Sequence, residues 1–190
     1  MAAPDDAAVR AFLERASGAA FSYPQPGSTR SGPVQAPVGF DLDESVVQIG
    51  RGEADFQAAR AALLSWRMFP ARWTRVWPSG APAVAGTEVA LLIRVLGRWW
   101  LNANRVVYAV DEPRRCGFAY GTLPAHAERG EELFLLELGD DSVLRYTIRA
   151  FSRPRHPLVR AGYLYARWLQ RRFRRESAAA MRRAVDEGLD

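Results

Sequence analysis

The stretch Arg153-Pro-Arg-His-Pro157-Leu-Val-Arg-Ala-Gly162-Tyr-Leu-Tyr-Ala-Arg167-Trp-Leu-Gln-Arg-Arg-Phe173-Arg-Arg-Glu-Ser-Ala-Ala-Ala180-Met-Arg-Arg-Ala184 decides the fold, because its periodicity changes at Pro157. From there to about Asp186, Leu158, Gly162, Tyr165, Leu169, Phe173, Ala180 and Ala184 fall on one helical face, and Arg160, Arg167, Arg171, Arg174 and Arg182 fall opposite. A helix of about 30 residues is predicted, about 45 Å long. Its apolar face needs a partner.

The residues before it supply one. Period-2 runs at Thr74 to Trp77, Glu88 to Leu96, Trp99 to Val110, Arg115 to Leu123, Glu131 to Leu138 and Val143 to Phe151 read as strands, separated by turns such as Pro78-Ser-Gly80, Asp111-Glu-Pro113 and Gly139-Asp-Asp141. Consecutive strands with short links form an antiparallel meander. Upstream, Ser45 to Ile49 reads as a further strand, Gly50-Arg-Gly52 as a turn, and Glu53 to about Trp66 as a helix ended before Pro70. The expected fold is α+β of the helix-grip kind: a curved antiparallel sheet wrapped around a long C-terminal helix. That architecture often leaves a cavity between helix and sheet.

Residues 1–40 read as a short N-terminal helix, Asp5 to Ala16, followed by an irregular arm punctuated by Tyr23-Pro-Gln-Pro-Gly27 and Ser31-Gly-Pro33. Residues 41–190 are then expected to form the single helix-grip domain. At 190 residues, one domain with a sizeable core is the default. No apolar run approaches the ~20 residues that span a bilayer, and the Met-Ala-Ala-Pro-Asp-Asp start lacks the basic and apolar regions of a secretory signal. A single cysteine, Cys116, excludes an internal disulfide framework and fits a cytoplasmic location.

The net charge of +5 is unevenly placed, and every cation is arginine. Ten arginines against one acid, Glu176, lie between Arg153 and Arg183, whereas the rest of the chain carries 16 arginines against 20 acids. The absence of lysine fits a GC-rich coding bias better than selection for bidentate contacts.

Several motifs together resemble an uncharacterised domain-of-unknown-function family grouped with START-like and pollen-allergen-type helix-grip proteins. They are Phe21-Ser-Tyr-Pro24, Ile49-Gly-Arg-Gly-Glu53, Trp66-Arg-Met-Phe-Pro70, Asn104-Arg-Val-Val-Tyr108, Gly117-Phe-Ala-Tyr-Gly-Thr-Leu-Pro124, Gly130-Glu-Glu132 and Phe151-Ser-Arg-Pro154. The resemblance covers about Phe21 to Val185. It implies the helix-grip fold and an apolar ligand, and it supplies no reaction or catalytic residue.

Alternation in the Trp99 to Val110 strand puts Asn102, Asn104, Val106 and Tyr108 on one face and Leu101, Ala103, Arg105 and Val107 on the other. Asn104, Arg105, Tyr108, Tyr120, Thr122 and Tyr146 are the candidate polar contacts for a hydrophobic or amphipathic small molecule. The alternative is a sheet whose polar face is simply wet. His126, Glu128, Glu131 and Glu132 crowd a strand connection, where a histidine or carboxylate could act as general base with Tyr120 as donor. A charge-rich turn is more often a solvated one, and that reading is favoured.

No H-x-x-x-H or Cys/His pairing supports a metal site, and no cofactor motif is complete. Gly50-Arg-Gly52 lacks the third glycine of a dinucleotide loop. Cys116 reads as a buried small hydrophobe and His156 as the start of the last helix. The arginine face (Arg160, Arg167, Arg171, Arg174, Arg182) is expected to be solvated. Binding of nucleic acid, anionic membrane or protein through it is the minority alternative.

Overall fold

A seven-stranded antiparallel sheet in the order β1-β7-β6-β5-β4-β3-β2 curves around the C-terminal helix. The computed structural model describes residues 3–30 and 36–188, so the Ser31-Gly-Pro33 part of the arm lies outside the described residues. Helix α1 is Asp6–Ala16, β1 is Asp41–Arg51 and α2 is Gly52–Leu64; the other strands are β2 Thr74–Trp77, β3 Glu88–Val95, β4 Arg98–Glu112, β5 Arg115–Thr122, β6 Glu128–Leu138 and β7 Val143–Pro154. The helix-grip expectation holds. β2 to β7 follow one another as a meander, and β1 closes the far edge by pairing with β7.

The single long helix predicted from Pro157 is two helices. α3 covers Pro157–Ala161 and α4 covers Tyr163–Glu187, with the break at Gly162, whose ψ of 30° is not helical. α4 packs deepest with Ser177, Ala178, Met181, Ala184 and Val185, against α2 and β1. Those side chains are mostly small, so the backbone can approach closely. Phe56, Ala59, Ala62 and Leu63 of α2 complete this core with Phe118, Phe134, Leu136, Leu144 and Tyr146 of the sheet.

Gly50-Arg-Gly52 is a self-contained turn. Gly52 sits at φ 78°, a conformation glycine adopts without strain, and the missing Cβ at Gly50 leaves room for the Asp55 carboxylate, which accepts from the Arg51 N–H at 2.7 Å. The backbone donor there is satisfied within the chain.

The opposite face of the sheet carries α1 and the arm. Val9 and Leu13 of α1 pack onto β3 and β4 beside Ala90, Leu92 and Ala103. Further on, the chain is tied down by one buried carboxylate. Glu131 is 2 % exposed and accepts from the Tyr23 hydroxyl at 2.7 Å, the Gly27 N–H at 2.7 Å, the Thr29 N–H at 2.9 Å and the Thr29 hydroxyl. A buried carboxylate is tolerated when donors satisfy its lone pairs, and here the donors come from the arm.

Removing the acceptor strands several buried donors at once. Glu131→Ala is therefore expected to lower stability by about 3 kcal/mol in urea denaturation, and Tyr23→Phe, which removes one donor, by about 1 kcal/mol. An unchanged midpoint for Glu131→Ala would show that the arm is held by its packing alone.

Candidate functional site

Where the small-residue half of α4 ends, the helix stands away from the sheet and a cavity of about 570 Å³ opens between them. The aromatic cluster of Phe69, Phe173, Tyr120 and Phe134 lies at the foot of this space; Phe69 is 5.3 Å from Phe173 and 6.3 Å from Tyr120 between ring centroids. Leu91, Ile93 and Val95 of β3, Trp100 of β4, and Leu158, Val159, Tyr165, Ala166 and Leu169 of α3 and α4 line the rest of its apolar wall. Leu96 and Leu158 both line it while being 84 % and 64 % exposed, which places its mouth between the β3–β4 hairpin and α3.

Strand pairing brings the polar groups together. Tyr120 of β5 stands directly opposite Glu132 of β6, and its hydroxyl donates to that carboxylate. Glu128, Gly130 and Glu132 alternate onto the cavity side of β6. Gly130 has no side chain because a Cβ would meet the Phe151 carbonyl oxygen at 1.9 Å. Gln170 of α4 bridges Glu128 at 3.1 Å and Ser152 at 3.2 Å. Asp43 of β1 takes Arg167 in two contacts, one of 2.8 Å, and Arg174 at 3.2 Å.

The His126–Glu132 segment, expected to be a solvated turn, instead forms part of this wall. The turn ends earlier than the charge run suggests: β6 starts at Glu128, and the His126 N–H donates to the Leu123 carbonyl, closing a short turn. His126 then turns its ring inward. Its Nδ1 accepts the Glu128 N–H at 2.9 Å, which leaves Nε2 to carry the proton of the neutral ring.

Burial sets the charge state of these cavity-lining groups. It depresses His126 to about 4. It raises Glu132 to about 7 against the opposing effects of the Tyr120 hydroxyl and Arg174, and raises Glu128 against those of Gln170 and Arg167. Tyr120 is pushed well above the usual phenol range, first by burial and then by Glu132. The cavity thus favours a neutral imidazole and protonated carboxyls over their ions.

The six proposed ligand contacts divide. Tyr120 and Thr122 line the cavity, and Thr122 also pairs with Ser22 through its hydroxyl at 2.6 Å. Tyr108 and Arg105 do not. The register shifts between Val106 and Tyr108, and this bulge returns Tyr108 to the outer face, where it meets the Thr29 hydroxyl at 2.8 Å and Arg30 lies 4.5 Å over its ring. Arg105 is outward as well, paired with Glu88 at 2.7 Å. Asn104 and Tyr146 face the helix side but outside the cavity wall: Asn104 is fully buried, and the Tyr146 hydroxyl meets Ser177 at 2.9 Å.

The arginine face is corrected in part. Arg167 and Arg174 turn toward Asp43 instead of water, whereas Arg171 is exposed and Arg182 donates to the Gln48 carbonyl at 3.0 Å. Asn102 and Gln170 are cavity residues that the candidate contacts omitted; alternation had already placed Asn102 on the face of Asn104.

Residues 22–180 match a family described as Domain of unknown function (DUF1990). The chain belongs to the DUF1990 family. It is 37 % identical over 194 residues to a UPF0548 protein of Deinococcus radiodurans, covering 96 % of each chain. It is 33 % identical over 158 residues to a UPF0548 protein of Dictyostelium discoideum, covering 77 % of this chain and 73 % of the relative.

Among solved structures, this DUF1990 chain resembles Ara h 8.0201 with a TM-score of 0.52 at 11 % identity, covering 78 % of this chain and 99 % of the other. It resembles human STARD10 with a TM-score of 0.50 at 10 % identity, covering 95 % and 81 %. These likenesses show a shared helix-grip fold. No described helix of this DUF1990 member is long and apolar enough to cross a membrane.

The two charge shifts have opposite signs in pH. Glu132, raised when folded, contributes stability below about 4.5 that is lost as pH rises through about 7, so Glu132→Gln should gain on the parent protein across that window. His126, depressed when folded, contributes stability above about 6.5 that is lost as pH falls through about 4, so His126→Gln should flatten the acid limb. Denaturation midpoints against pH check both; parallel profiles for parent and variants would refute the burial of these groups.

Proposed function

We propose that this protein binds a hydrophobic or amphipathic small molecule between the sheet and α4. The observation that carries the proposal is the cavity of about 570 Å³, within the size range of small-molecule sites, with an apolar wall and a few grouped polar anchors. Tyr120, Thr122, Glu132 and Gln170 are the anchors, and Leu96 and Leu158 flank the entrance. Residues 41–190 are the binding domain in this reading, and α1 with the described arm residues through Thr29 covers the back of the sheet. The buried free thiol of Cys116 supports a cytoplasmic location.

Filling the cavity tests the proposal. Ala166→Phe, on the cavity side of α4, should weaken binding of the neutral fluorophore N-phenylnaphthylamine by at least about tenfold while leaving the denaturation midpoint near that of the parent. Equal affinity of the two proteins would remove the cavity as the binding site.

A second reading, acid–base chemistry on the bound molecule, is favoured by the convergence of His126, Glu128, Glu132 and Tyr120 on one apolar space. A carboxyl that titrates near neutrality, as Glu132 does, can give or take a proton, and His126, whose Nδ1 is engaged by the Glu128 N–H, offers its Nε2–H as a donor. Native mass spectrometry of ligand carried by the parent and by Glu128→Gln and His126→Gln checks it. Turnover predicts a chemically different retained molecule in the variants, and the same molecule in all three would count against an enzyme.

A further inference from the structure

Beside the cavity lies a second, separate hollow of about 330 Å³, lined by Arg129, Arg153, Pro154, Arg155, Arg160 and Tyr163. Four of its lining residues are arginines, and none carries a carboxylate. Among the described residues, none of the four forms an ion pair with an acid. The remaining polar lining side chain is already engaged, since the Tyr163 hydroxyl donates to Asp41 at 2.8 Å.

Two features of this hollow are unfavourable as they stand. Arg129 of β6 is directly opposite Arg153 of β7, and like charges facing each other across strands repel. In addition, the Nε of Arg129 is buried with no hydrogen-bond acceptor, although a buried donor costs free energy unless it is paired. A single anion between the arginines relieves the repulsion. Guanidinium forks match the oxygens of phosphate in paired hydrogen bonds, and four positive charges suit a group that carries two negative ones better than a neutral polar group.

Arg129 borders the apolar cavity as well as this hollow, although its side chain alternates away from Glu128 and Gly130, and on α3 Arg160 of the hollow directly follows Leu158 and Val159 of the cavity wall. From that juxtaposition we infer that Arg129, Arg153, Arg155 and Arg160 form a phosphate site for the headgroup of an amphiphile whose apolar tail occupies the cavity between sheet and α4. The inference rests on the proposed binding function and narrows it to anionic amphiphiles. It also assigns part of the charge in the basic C-terminal segment, which the cavity itself does not use.

Affinities for dodecyl phosphate, 1-dodecanol and inorganic phosphate, measured by calorimetry below micelle formation, test it. Dodecyl phosphate should bind at least about tenfold more tightly than 1-dodecanol, the effect of one charge-assisted contact, and added salt should erode that preference. Arg153→Gln combined with Arg160→Gln, both exposed, should abolish the preference and leave 1-dodecanol affinity unchanged. Arg155→Gln alone should reduce the preference, which supplies an independent variant.

Equal binding of dodecyl phosphate and 1-dodecanol would overturn the headgroup site while leaving the cavity reading intact. Inorganic phosphate binding as tightly as dodecyl phosphate would make the hollow a free anion site and overturn its link to the cavity. Failure of both alkyl probes to bind would overturn the cavity reading and the headgroup site together.

Discussion

The C-terminal helix meets the sheet in two different ways along its length, and the cavity follows from that difference. Ser177, Ala178, Ala184 and the flexible Met181 let the second half of α4 settle against α2 and the sheet, where dispersion contacts and water exclusion hold it. The first half carries larger and charged side chains and is held by Arg167 and Arg174 reaching to Asp43. Ion pairs hold the helix without filling the space beneath it. Gly162 then breaks the helix, and Leu158 and Val159 of α3 line the cavity beyond the break.

An apolar space with titratable walls must settle their charge, and here it does so largely by neutralising them. Glu132 donates or accepts according to pH near neutrality, Tyr120 gives it a hydrogen bond, and His126 is held in one tautomer by the Glu128 backbone. Such groups present hydrogen-bonding atoms to the cavity without adding a fixed charge of their own. The fixed positive charge lies next door, in the arginine hollow, so polarity increases from the aromatic foot of the cavity toward Arg129.

The other face of the sheet is committed to structure. Glu131 belongs to the same Gly130-Glu-Glu132 run as the cavity carboxylate, yet alternation sends it outward, where Tyr23, Gly27 and Thr29 satisfy it. Adjacent glutamates in one strand thus perform unrelated tasks. Tyr108 joins the outer set only because of the bulge after Val106.

The sequence by itself determined the element types and their order, because periods of 2 and 3.6, proline breaks and turn residues are local properties. It also placed Tyr120 and Thr122 together, since alternation within one unbulged strand is enough to do so. Only the tertiary structure decided which way Tyr108 points, since a bulge is fixed by pairing with a neighbouring strand. It likewise decided that His126, Glu128 and Glu132 face inward, because the start of β6 depends on its register with β5 and β7. The split at Gly162, the turn of Arg167 and Arg174 toward Asp43, and the meeting of Arg129 with Arg153 share this origin. Each joins residues far apart in the chain or depends on what lies beneath a helix, and periodicity along one strand or helix carries no record of either.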